Sequence, residues 1–163
     1  MVRTGLISGA AFLLLAPGSA ASGPVDSVLD FLDATRRADG QAVADLLCED
    51  LLALFDSTLV LLRTVASEDG VLARELLERY GLDAEPWEIS TWEVPDLIGV
   101  VLESRPVLDP SATAEVEREV ISMQGRRASV TLSWSRGLTA SFELVWEDGT
   151  WKLTGTSLMS RWF

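Results

Sequence analysis

The stretch Ala128–Thr156 reads ASVTLSWSRGLTASFELVWEDGTWKLTGT. Ala128, Val130, Leu132 and Trp134 share one parity, and Ser129, Thr131, Ser133 and Ser135 share the other. The next run repeats this, setting Ala140, Phe142, Leu144 and Trp146 against Thr139, Ser141 and Glu143. Successive side chains of a strand point to opposite faces, so each run has one dry face and one wet face. That is the signature of an antiparallel sheet covered on one side. Asp148-Gly149, between Trp146 and Trp151, is a hairpin signal, because a tight turn that matches strand twist needs residues tolerant of positive φ. Gly125 and Arg136-Gly137 mark the other turns, and an earlier run near Glu115–Met123 completes four consecutive antiparallel strands.

Upstream the apolar period is helical. Gly23-Pro24-Val25-Asp26 reads as a helix start, with proline at the first position and an acid at the positive end of the dipole. Val25, Val28, Leu29 and Leu32 form its stripe, and Gly40 is expected to cap its C-terminus in the left-handed conformation. From Gln41 to about Val65 there is neither proline nor glycine, which predicts one long helix. Leu52, Leu59, Val60 and Leu61 widen its apolar band, so it is expected to be largely buried or to line something apolar. A further helix is expected from Ser67, stopped by Gly81. Trp87 and Trp92 fall in a connection, where Ser90 and Glu93 have capping-box spacing, although Pro95 moves the expected helix start to about Val94. Leu97, Ile98, Val101 and Leu102 give a last helical face. The fold class is therefore α+β: N-terminal helices packed on a curved, mainly four-stranded antiparallel sheet, in one domain over 23–163.

Composition narrows the chemistry. The chain has 163 residues, with 13 basic against 25 acidic and a net charge of −12. A nucleic-acid binder needs a basic face, so that class is disfavoured, as is an anionic membrane surface. There is no histidine, which removes imidazole general bases, the Ser-His-Asp and Cys-His arrangements and imidazole metal sites. Cys48 is the one cysteine, so neither an internal disulfide nor a thiolate zinc site can form, and its leucine neighbours read it as a small core residue. No cofactor is expected. Asp26, Asp30 and Asp33 share a helical face that reads as solvated rather than metal-binding.

The N-terminus, MVRTGLISGAAFLLLAPGSAASGP, has Arg3, an apolar run Gly5–Ala16, and small residues after Pro17. This is the layout of a secretory signal peptide over 1–20, cleaved at 20–22. The apolar run is shorter than the roughly 20 residues of a spanning helix. The expectation is an exported, periplasmic or secreted bacterial protein with no stable membrane span in its mature form.

The segments VDSVLDFLDATRRADGQAVADLL and FELVWEDGTWKLTGTSL resemble the nuclear transport factor 2-like (cystatin-like) superfamily. The resemblance implies a cone-shaped α+β roll whose interior can be a pocket. Its members include isomerases, cyclases, dehydratases and transport adaptors, so the fold leaves function open. No catalytic motif of the superfamily maps onto this chain residue by residue, and Tyr80, the single tyrosine, belongs to a helix end.

The function expected first is a non-catalytic exported domain that binds an apolar or amphiphilic, lipid-like ligand between helices and sheet. Its expected wall is Arg118, Trp134, Trp146, Phe142, Leu54 and Phe55. Arg118 alternates with Glu117 and Glu119; it either looks into the cavity, where it needs an anionic partner, or belongs to an edge strand with a bulge, snorkels to the rim or pairs with a protein acid. The alternative is a protein-interaction or dimerisation module of the cell envelope, fitted by the apolar excess in the helices. An isomerase- or hydrolase-like enzyme is the third reading and requires two acids converging in the cone.

Overall fold

A computed structural model describes residues 22–104, 115–135 and 137–157. The expected signal segment over 1–20, Arg136 and Trp162 lie outside the described residues. The elements in order are α1 (Pro24–Arg36), α2 (Gly40–Leu46), α3 (Glu49–Glu68), α4 (Gly70–Tyr80), a short 3-10 turn (Glu88–Ser90) and α5 (Val94–Ser104). Strands β1 (Val116–Gln124), β2 (Arg127–Trp134), β3 (Thr139–Glu147) and β4 (Thr150–Thr156) follow. The strands form one open antiparallel sheet in the order β1-β2-β3-β4. The class is α+β, as the sequence periods predict.

The sheet's dry face is the one read from sequence. Ala128, Val130, Leu132 and Trp134 of β2 and Ala140, Phe142 and Leu144 of β3 are all buried. On the other face Thr131 and Ser141 share a hydroxyl hydrogen bond of 3.0 Å. Both residues of the Asp148-Gly149 turn have positive φ, 48° and 82°, as a type I′ turn requires. Trp146 and Trp151 face each other just before and after it, edge to face at 5.3 Å. α1 rests on β2 and β4, α2 on β4, α5 on α2, and α3 on α4, α5 and the 3-10 turn. Phe31 of α1 meets Phe142 of β3 edge to face at 6.4 Å, in the middle of one continuous core.

Four helical expectations need correction. The helix predicted over Gln41–Val65 is two helices, broken at Leu47 and Cys48, both of which are extended. Leu47 makes a parallel bridge with Leu153, and the Cys48 N–H donates to the Leu153 carbonyl at 2.9 Å. Pairing with the sheet edge wins over helix propensity there. Gly40 is the first residue of α2 and not a left-handed cap; the left-handed residue is Ala38, with φ 51°. The helix expected from Ser67 starts at Gly70, because Asp69 caps it through its carboxylate, which accepts from the Val71 and Leu72 N–H groups at 3.0 Å. The cap before α5 is not the Ser90–Glu93 pair: Asp96 accepts from the Glu93 N–H at 2.7 Å, while the Ser90 hydroxyl donates to the Trp87 carbonyl.

Candidate functional site

The six residues expected to wall a pocket are spread over three environments. Phe55, Trp134 and Phe142 are buried in the common core. Trp146 is half-buried against Trp151. Leu54 and Arg118 are exposed. The structure therefore puts Phe55, Trp134 and Phe142 in one core cluster and leaves Leu54 and Arg118 outside it.

Arg118 is turned away by a β-bulge. Val116 pairs with Trp134, on the dry parity, but the register shifts before Arg118, which pairs with Ser133 on the wet parity. One inserted residue reverses which face each following side chain occupies. Glu119, Ile121 and Met123 consequently oppose Leu132, Val130 and Ala128, while Arg118 and Val120 oppose Ser133 and Thr131. The edge-strand reading of Arg118, with its bulge, describes what the structure contains.

Three clefts have fully described linings, and none of them is lined by Phe55, Trp134, Phe142 or Trp146. They lie between helices and are wide open. One, of about 490 Å³, is formed by Arg63, Thr64 and Ser67 of α3 facing Pro86, Trp87 and Ser90. It adjoins the outer side of α3.

α3 buries Phe55, Leu59 and Leu62. At 100° per residue, the opposite arc carries Ala53, Leu54, Ser57, Val60, Leu61 and Thr64, all exposed. The helix is thus not largely buried, as its apolar band had suggested: Leu54, Val60 and Leu61 are 45, 52 and 60% exposed. This arc holds no charge through its centre, whereas a solvated face of a surface helix is ordinarily charged. Its hydroxyls are also turned inward. Ser57 Oγ donates to the Ala53 carbonyl at 2.8 Å, and Thr64 Oγ1 donates to the Val60 carbonyl at 2.9 Å. Groups already satisfied by their own backbone can be dried with little loss, so the arc behaves as more apolar than its composition suggests.

Trp87 extends this surface. It is 72% exposed, in contrast with the buried Trp134 and Trp151. It lines the same cleft as Thr64, the last residue of the arc. Arg63 lies in the same cleft and ties α3 to the 3-10 turn, its guanidinium donating to the carbonyls of Ile89, at 3.4 Å, and Trp92. Among the described residues no carboxylate pairs with it. Sequence reasoning noted Trp87 but not its exposure; the signal was its place between Pro86 and Glu88, outside any apolar period.

Among the described residues no three acids or thiols are grouped to hold a metal ion, and no helix is long and apolar enough to cross a membrane. Comparison with protein-family models, with curated proteins and with solved structures gave no match.

Proposed function

We propose that this chain is a non-catalytic interaction domain of the bacterial cell envelope, which docks a protein partner on the outer side of α3. The observation that carries the reading is the uncharged, exposed arc Leu54–Thr64, with its hydroxyls bonded inward and Trp87 at its end. Interfaces concentrate their energy in a few tryptophan, tyrosine and arginine side chains within a surface depleted of charge. Trp87 is a residue of that kind, and Arg63, held by the Ile89 and Trp92 carbonyls, borders the same cleft. The signal-like composition of the N-terminus supports a partner in the envelope. Acids at the ends of the arc, Asp50 and Glu68, and the net charge of −12 favour a partner with an apolar centre and a basic rim. The likeness to the nuclear transport factor 2-like superfamily is compatible with this use, since that fold serves adaptors as well as enzymes.

The test is a photo-crosslinking amino acid at Leu61, with Glu78 on α4 as control, in the exported protein. The expected result is a discrete protein adduct from Leu61 alone, lost in a Trp87→Ala background. A lipid adduct at Leu61 would instead support the amphiphile-binding reading.

A further inference from the structure

We propose that two copies of this chain pair edge to edge through β1, across a twofold axis at Ile121, to form one continuous sheet. This surface is separate from the outer side of α3 and does not depend on its role.

The two sheet edges are unlike. β4 is covered where Leu47 bridges Leu153 and Cys48 donates to it. Along β1, no described residue other than those of β2 hydrogen-bonds to the strand backbone between Arg118 and Gln124. An open edge is a template for another strand, and proteins that must stay monomeric blunt it with charge, proline or a bulge. β1 does this in its first half only. Glu115, Glu117, Arg118 and Glu119 carry the charge there, and the bulge lies between Val116 and Arg118. The second half, Val120–Gln124, has a regular register, no charge and no proline. Its Val120, Ile121 and Met123 are exposed, the latter two at 49 and 60% on the parity of the dry face.

Charge then selects the occupant and the register. A twofold axis normal to the sheet sets each strand antiparallel to its own copy, so the central residue faces itself. Centring on Glu117, Arg118 or Glu119 would stack like charges directly opposite, which is destabilising. Centring on Val120 would draw the bulged residues into the ladder. Centring on Ile121 uses only Arg118–Gln124. Ile121 then meets Ile121 of the second copy, Val120 meets Ser122, Glu119 meets Met123 and Arg118 meets Gln124. No like charges face each other, and the uncharged centre Val120–Ser122 of each strand covers its twin. Because the contact is isologous it closes on itself, and the covered β4 edge offers no continuation into a fibre.

Light scattering on the full chain over a concentration series tests this, together with two substitutions. The expected result is a mass twice that of one chain at high concentration. Ile121→Lys should return it to a single-chain mass with an unchanged circular dichroism spectrum. Ile121→Cys should trap a covalent dimer on oxidation, since opposed Cβ atoms at such an axis lie about 4.5–5.5 Å apart; Glu117→Cys should not. A single-chain mass at every concentration, or a dimer that survives Ile121→Lys, would overturn the proposal. Loss of the dimer in Leu61→Lys but not in Ile121→Lys would also overturn it, while leaving α3 as the interface.

Discussion

Gly40 of α2 lies against Pro95 of α5 so closely that an added Cβ would stand 2.0 Å from the Pro95 carbonyl oxygen. The same Cβ would be 2.7 Å from the Gly99 N. Both obstacles are backbone, so relief requires the two helices to part. Gly40→Ala is therefore expected to cost about 3 kcal/mol, the upper part of the usual range for overpacking. Gly70→Ala is the control: nothing lies within 4 Å of its added Cβ, and the residue is helical. It should stabilise by roughly 0.4–1 kcal/mol through the unfolded chain. Urea unfolding of both variants checks the pair.

Ser27 is buried on α1, and among the described residues its Oγ has no hydrogen-bond partner. An unsatisfied buried hydroxyl carries a desolvation penalty, and alanine removes it without enlarging the side chain. Ser27→Ala should leave the fold intact and raise stability by about 1 kcal/mol, read as a higher denaturant midpoint with unchanged slope. A fall in stability would mean that the hydroxyl has a partner in solution.

The expected pocket wall divides by stability. Phe142 is fully buried against Phe31, so Phe142→Ala should cost about 3–5 kcal/mol. Leu54 is exposed, and Leu54→Ala should stay within about 0.5 kcal/mol of the parent. Thermal melts of the two separate core from surface without reference to any ligand.

The β3–β4 turn should tolerate change unequally. Gly149 has φ 82°, and an L side chain there is strained by about 1–2 kcal/mol, so Gly149→Ala should lower stability by that order. Asp148, at φ 48°, should accept glycine with little change, because glycine adopts that conformation without a steric cost. Chemical denaturation of both variants provides the comparison.

Local periodicity made the sheet readable. The parity of Ala128–Trp134 and Ala140–Leu144, and the Asp148-Gly149 turn, depend on residues within a few positions of each other. What escaped depends on distant contacts. The break at Leu47 and Cys48 has no glycine or proline to announce it; it exists because Leu153, far along the chain, pairs there. Gly40 looked like a helix stop because its actual constraint, the Pro95 carbonyl, is a tertiary neighbour. The bulge before Arg118 reversed the parity of the strand behind it, and no residue type in Glu115–Glu119 marks where an extra residue is inserted. The candidate surface was half legible. The excess of leucine in α3 was plain, but which leucines face out follows from how α4, α5 and the 3-10 turn pack against the helix.

The central claim is that the working surface is the outer side of α3 and not the region between helices and sheet, where Phe31, Phe55, Trp134 and Phe142 join one buried core. Native mass spectrometry of the chain exported to a bacterial periplasm, followed by solvent extraction, tests this most directly. The account predicts protein free of stoichiometric amphiphile, with the same result for Leu61→Lys. An equimolar lipid-like molecule, retained by Leu61→Lys and lost in Trp134→Ala, would contradict it and place the ligand between helices and sheet.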